Sequence, residues 1–340
     1  MLLDDFAMSI PLVAAPMSGG PTTPQMVIAA ARAGGLGTLA AGYKTVGDLE
    51  AQIAEVRAEG IAFGVNVFAP NPLPVDHDAY RRYAAKIQRR ADRFGVQLPA
   101  EPIEDTDAYD AKIELLLDAP VPMVSFTFGI PTQAVIARLR RAGSVVAQTV
   151  TTGAEAARAQ AAGVDVLIGQ APAAGGHSAT LSPLTEPRRI GIVDLLHEIR
   201  SQTSLPVIVA GGLATTISVA DVIRAGAIAA AVGTALLRSA ESGASSTYQA
   251  ALGDPARTET VVTHCFSGRP ARGLRNAFID TFDADAPFGY PAIHHLTSPL
   301  RKAAAAANEP ELVNLWAGAG YRHATTEPTA DILHRLAAGL

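Results

Sequence analysis

Short apolar runs rich in Val, Ile and Phe alternate along the chain with Ala-rich stretches whose charges recur at helical spacing. That pattern predicts repeated βα units around a parallel sheet. Eight strands are expected, over residues 11–16, 35–41, 63–68, 123–129, 144–150, 165–170, 206–212 and 229–237. Helices are expected at 24–33, 46–59, 132–142, 153–162, 193–203 and 215–225. The run Pro206-Val207-Ile208-Val209-Ala210 does not alternate, as suits a strand buried on both faces. Gly34 and Gly226 follow Ala33 and Ala225, where a left-handed residue closes a helix. Eight such units predict an α/β-class (β/α)8 TIM barrel.

The unit after the third strand is longer than a crossover needs. Residues 69–119 read as an insertion and candidate lid, with charged helical stretches at about 79–94 and 108–117. A helix is expected at 244–253, and residues 254–340 follow as a C-terminal extension packing on a barrel formed by 1–253. Two short apolar stretches in it, 300–307 and 332–338, are too short to stand alone as helices.

Composition narrows the class. Of 340 residues, 49% are hydrophobic and 17% charged, enough for a large core and too few charges for a disordered chain. A net charge of −5 and the lack of any Lys/Arg-rich run exclude the cationic footprint of a nucleic-acid or anionic-membrane binder, leaving small molecules as the expected partners. Cys265 is the only cysteine, which excludes an intramolecular disulfide and a cysteine metal cluster and suits a reducing cytoplasm. The opening Met1-Leu2-Leu3-Asp4-Asp5 shows no leader pattern, and no apolar segment reaches membrane-spanning length. A cytoplasmic protein is expected.

Chemistry in such a barrel gathers at the C-terminal ends of the strands. Gly211-Gly212 and Gly233-Thr234 follow the seventh and eighth strands, where glycines let backbone N–H groups approach a phosphate. Either could be a plain turn or packing glycine; together, with no Walker or Rossmann fingerprint, they point to the phosphate of flavin mononucleotide (FMN). Asn66 and Gln170 end apolar strands, where an amide needs partners that a flavin edge or the neighbouring loop backbone could supply. Pro16 and Met17 could wall the ring or belong to the core. His177 follows Gly175-Gly176, and imidazole exchanges protons near neutral pH, so it is the expected catalytic residue. His77, His197, His323 and His334 fall in helices or polar stretches and are expected at the surface. The adjacent His294-His295 lacks a carboxylate pattern, so no metal is expected, and Cys265 beside His264 reads as core.

The chain resembles the nitronate monooxygenase family, once called 2-nitropropane dioxygenases, along nearly its whole length. The resemblance is carried by Ala15-Pro16-Met17, Ala33-Gly34-Gly35-Leu36-Gly37, Gly64-Val65-Asn66, Val124-Ser125-Phe126-Thr127-Phe128-Gly129-Ile130-Pro131, Gln170 with Ala174-Gly175-Gly176-His177, Ala210-Gly211-Gly212, Val232-Gly233-Thr234 and Phe266-Ser267-Gly268-Arg269-Pro270-Ala271-Arg272-Gly273. It implies an FMN-dependent oxidation of alkyl nitronates by O2 to a carbonyl compound and nitrite. Met17, Asn66, Gln170, Gly175, Gly176, Gly211, Gly212, Gly233 and Thr234 would hold FMN. His177 would contact the nitro group or deprotonate a neutral nitroalkane, and Tyr290 would line the substrate pocket. The chain departs from the family in two places: Ala173 stands where an acid precedes the Gly-Gly-His, and Ala319 where Leu-Trp-Ala-Gly continues with Gln. The same barrel, flavin and loops also serve NAD(P)H-dependent reductases of the enoyl-acyl carrier protein or quinone type. A non-catalytic flavin-binding protein is the reading from a third class.

Overall fold

A computed structural model describes residues 6–340; residues 1–5, read above for the lack of a leader pattern, lie outside the described residues. Eight parallel strands close a barrel. They are β1 (Leu12–Ala14), β2 (Leu36–Ala40), β3 (Phe63–Ala69), β4 (Met123–Phe128), β5 (Val145–Val150), β6 (Val166–Gln170), then β8 (Val207–Ala210) and β9 (Ala229–Val232). β9 pairs back onto β1 with Ala231 opposite Val13. This is the (β/α)8 TIM barrel expected from the alternation. Inside it, Val13, Leu36, Met123, Ala147, Val166, Ile208 and Ala229 form one buried cluster capped by Phe6, a packed floor rather than a pore.

Two strands are shorter than the apolar runs suggested. The first is bounded by Pro11 and Pro16, which cannot donate to a ladder. The eighth, expected over 229–237, stops at Val232, because Gly233 turns the chain into a 3-10 helix, Thr234–Leu236, with Leu236 N donating to Gly233 O at 2.8 Å.

The barrel helices start in one recurring way. α1 (Pro24–Arg32), α2 (Val46–Arg57), α5 (Gln133–Arg141), α6 (Gly153–Ala162) and α8 (Thr216–Arg224) are each preceded by a threonine, at 23, 45, 132, 152 and 215. Each hydroxyl accepts from an N–H of the first turn that would otherwise lack a partner. α7 (Ile192–Gln202) begins at Gly191 without such a cap.

The long excursion after β3 contains α3 (His77–Ala91) and α4 (Tyr109–Asp118). α4 is the barrel's third crossover helix: it packs on β3, α2 and α5, and its Ile113 and Leu116 belong to the barrel core. α3 instead joins the C-terminal segments, where α9 (Ser246–Gly253), α10 (Ala277–Phe282) and α11 (Ala292–Ala306) build a second core. Tyr80, Tyr83 and Ile87 of α3 meet Phe266, Phe278 and Leu296 there. The last helix, α12 (Thr329–Ala337), leaves that core and fills the ring of helices between α1 and α8, burying Ile332, Leu333 and Leu336 against the barrel. Neither α10 nor the full length of α11 was visible in the apolar pattern, since Pro299 interrupts α11. Among the described residues no helix is long and apolar enough to cross a membrane.

A small second sheet brings the C-terminal segment to the barrel mouth. β7 (Gly176–His177) pairs antiparallel with β11 (Ala271–Leu274), which pairs with β10 (Thr260–Thr263). His177 faces Ala271 across this ladder.

Candidate active site

A cavity of about 1050 Å³ opens at the C-terminal ends of the barrel strands, around the upper end of ligand-site volumes. Pro16, Met17, Asn66, Gln170, Gly175, Gly176, His177, Gly211, Gly212, Gly233, Thr234 and Tyr290 all line it. At one end Gly211 and Gly212 take φ of 116° and 77°, a backbone that side chains rarely adopt. A Cβ on Gly211 would stand 2.7 Å from Ala171 O, so only glycine fits. Gly233 is not forced in this way, since a Cβ there would meet Met17 Sδ at an ordinary 3.5 Å. Gly175 is a packing glycine: a Cβ would lie 2.5 Å from Gly318 N.

Polar side chains stand among the apolar residues at the base of the cavity. Asn66 Nδ2 donates to Ser125 Oγ at 3.0 Å and to Thr127 Oγ1 at 3.1 Å, while Thr38 Oγ1 is buried without a partner. Gln170 holds the His177 strand at two points, its Nε2 donating to His177 O at 3.2 Å and its Oε1 accepting from Ala179 N at 2.8 Å. Its amide therefore serves loop backbone.

His177 is the best-supported side chain in the cavity. Its Nε2 lies 2.9 Å from Ser267 Oγ, and Ser267 spends its one hydrogen on Arg269 O at 3.2 Å. The Ser267 contact fixes the ring through Nε2, and Nδ1 has no hydrogen-bond partner among the described residues. The rings of Phe128, Tyr290 and Trp316 pack around the imidazole at 5.8, 5.6 and 5.6 Å. Phe128 itself has φ of 80° at the end of β4, strain of the kind that collects at functional sites.

Two guanidiniums set the local field. Arg269 is 0% exposed, stacks 4.1 Å over Phe128, and donates to Ser178 O and Thr180 O just beyond His177. Its Nη1 is buried without a hydrogen-bond partner. Arg301, also buried, donates from Nε to Thr297 Oγ1 at 3.0 Å and from Nη2 to His294 O at 3.0 Å. Among the described residues no carboxylate pairs with either. Burial, then Arg269 and Arg301, push the His177 pKa down to about 3, so the imidazole is neutral at physiological pH. An imidazole ordinarily exchanges protons near neutral pH; here desolvation and two cations override that.

Several residues in or beside the cavity carry no functional signal in the sequence. Ser267 and Arg269 lie in the Phe266–Arg269 run, which carried the resemblance without showing what it holds. His294, weighed only as a metal ligand, stacks on Tyr43 at 4.0 Å, and His295 pairs with Asp105 at 3.0 Å. Tyr43 had no signal beyond its place after a strand. His77, His197, His323 and His334 are exposed, and Cys265 is fully buried with its thiol pKa pushed up by that burial. The positions of the two departures, Ala173 and Ala319, are neighbours: Ala319 N donates to Ala173 O at 2.9 Å.

The family profile described as nitronate monooxygenase matches residues 1–339. Probable nitronate monooxygenases of Staphylococcus aureus strains Newman and MRSA252 are 35% identical over 331 residues, covering 96% of this chain and 93% of theirs. The solved nitroalkane oxidase from Streptomyces ansochromogenes superposes with a TM-score of 0.94 at 44% identity, covering 100% of this chain and 97% of that one. FabK from Thermotoga maritima superposes at 0.78 with 22% identity over 99% of this chain and 94% of that one, a likeness of fold alone.

Proposed function

Because the chain belongs to the nitronate monooxygenase family, we propose that it holds FMN in the cavity and oxidises alkyl nitronates, and nitroalkanes by way of them, with O2 to a carbonyl compound and nitrite. The observation that carries this reading is a neutral imidazole in the field of two buried guanidiniums, neither of which forms an ion pair with a carboxylate among the described residues. Such a field favours a substrate that arrives as an anion or becomes one.

The residues fit the cofactor. Gly211 and Gly212 form a cradle that a Cβ or an ordinary backbone would spoil, and Gly233 and Thr234 stand beside it in the same cavity. They would hold the phosphate, with Pro16, Met17, Asn66, Gln170, Gly175 and Gly176 along the rest of the cavity. When bound, the flavin would supply electron transfer between the substrate and O2, and O2 would furnish the oxygen of the carbonyl product.

This chain's own residues do the remaining work. A nitronate needs only to be oriented, and the aromatic wall of Phe128, Tyr290 and Trp316 excludes water while the fixed cations offset its charge. A neutral nitroalkane must first lose a proton from its α-carbon. His177 Nδ1 accepts it, while Ser267 keeps the ring's orientation through Nε2. The imidazolium then stands beside a newly formed anion, which offsets the repulsion from Arg269 and Arg301.

The test is the colour and its chemistry. Purified protein is expected to show an oxidised-flavin spectrum that bleaches anaerobically with a primary alkyl nitronate and survives NADH and NADPH. Bleaching by a pyridine nucleotide alone would make it a reductase, and a colourless protein that refuses FMN would overturn the assignment.

A further inference from the structure

The cavity wall beside His177 contains two phenols that the mechanism above does not use as donors. The hydroxyls of Tyr43 and Tyr290 lie 3.1 Å apart, and neither has another partner among the described residues. One hydrogen lies between the two oxygens, so the pair has a second O–H to give. Both residues line the cavity, and burial raises both phenol pKa values far above the ordinary range. Both hydrogens are therefore kept at working pH. A donor left over in a desolvated wall is unfavourable until an acceptor arrives.

Tyr43 is held there by the excursion after β3. Its backbone is left-handed, with φ of 66°, and its N–H donates to Asp107 Oδ1 at 2.9 Å. Asp107 Oδ2 lies 2.8 Å from Lys112 Nζ, an ionic contact rather than a well-angled hydrogen bond. Lys112 is 0% exposed, and its Nζ also donates to Ala41 O at 3.0 Å, at the end of β2. Asp107 and Ala108 share the left-handed strain, with φ of 55° and 51°. Strain of this sort persists only where the surroundings fix it. The Tyr43 ring is gripped on its face by His294, whose neighbour His295 pairs with Asp105 of the same turn.

We propose that the Tyr43–Tyr290 hydroxyl pair donates its spare hydrogen to a nitro oxygen of the substrate, and that the buried Asp107–Lys112 pair is the positioning device that keeps Tyr43 in place. The proposal rests on the nitronate reading above. A nitronate spreads its charge over two oxygens, which makes it the acceptor of a charge-assisted hydrogen bond.

The test measures oxygen uptake with a primary alkyl nitronate, with the flavin spectrum and Tm as controls for folding. Tyr43→Phe and Tyr290→Phe each leave one hydroxyl hydrogen, so each raises KM only by roughly a few-fold. The double variant has no donor, and its KM rises roughly tenfold to a hundredfold with kcat little changed, because the charge it recognises is already present in the bound substrate. The variant Asp107→Ala with Lys112→Met removes the clamp without leaving a buried charge unpaired. It should raise KM when both tyrosines are present and add nothing once both are phenylalanine. A double phenylalanine variant with wild-type KM overturns the donor role, and clamp loss that is additive with it overturns the positioning role. Wild-type protein that consumes no oxygen with any nitronate overturns the reaction itself, a failure distinguished by lying in the wild type.

Discussion

His177 combines two properties that pull in different directions. It is held in one orientation by Ser267 and Gln170, yet it is a weak base, with a pKa near 3. His177→Ala should keep the flavin colour and lose roughly 100-fold or more in kcat/KM on neutral nitroalkanes, while nitronates, which need no proton removed, suffer far less. Parallel oxygen-uptake assays on the two substrate forms check this. Stability carries the same signature. The unfolded chain protonates this imidazole near pH 6.5, whereas the folded one does not until near pH 3, so the stabilisation is fully present above 6.5 and is lost as pH falls through that window. His294, also depressed by burial, acts in the same direction. The slope approaches about 1.4 kcal/mol per pH unit for each, so the Tm drop from pH 7 to pH 5 should shrink in His177→Gln. The residue's identity was legible because Gly175-Gly176 brought a histidine to a strand end. Its protonation state was not, since Arg269 lies 92 positions away in sequence and only the fold puts it there.

Elements were legible where the local pattern settles them and illegible where packing does. The unbroken apolar run of β8 announces a doubly buried strand, and threonine caps fix five of the helix starts by local chemistry alone. β7 is two residues long and has no pattern of its own; it exists because β11 pairs with it. α3 reads as a charged helical stretch of an insertion, yet its Tyr80, Tyr83 and Ile87 are buried against the C-terminal segments. The Tyr83 hydroxyl ties the two together by donating to Cys265 O at 2.7 Å. Tyr83→Phe leaves that buried carbonyl without its donor and should cost about 1–3 kcal/mol, read as a lower denaturation midpoint with an unchanged slope.

At the scale of the whole molecule, the barrel, the excursion after β3 and the C-terminal segments contribute to one cavity, so its occupant is coupled to global stability. FMN that binds only the folded form stabilises by about 2.7 kcal/mol at a hundredfold excess over its Kd. Stripping the flavin should lower Tm by several degrees and readdition should restore it; a Tm indifferent to FMN would place the cofactor elsewhere. The small sheet at the barrel mouth has one more consequence. Gly176 and His177 acquire their ladder partners only from residues 271–272, and Arg269 reaches Ser178 only from the same stretch. During synthesis the ribosome therefore emits most of the barrel before the ladder partners of the Gly176–His177 strand exist. The mouth of the cavity is therefore finished last, when the C-terminal segment has emerged and docked on the Gly176–His177 strand.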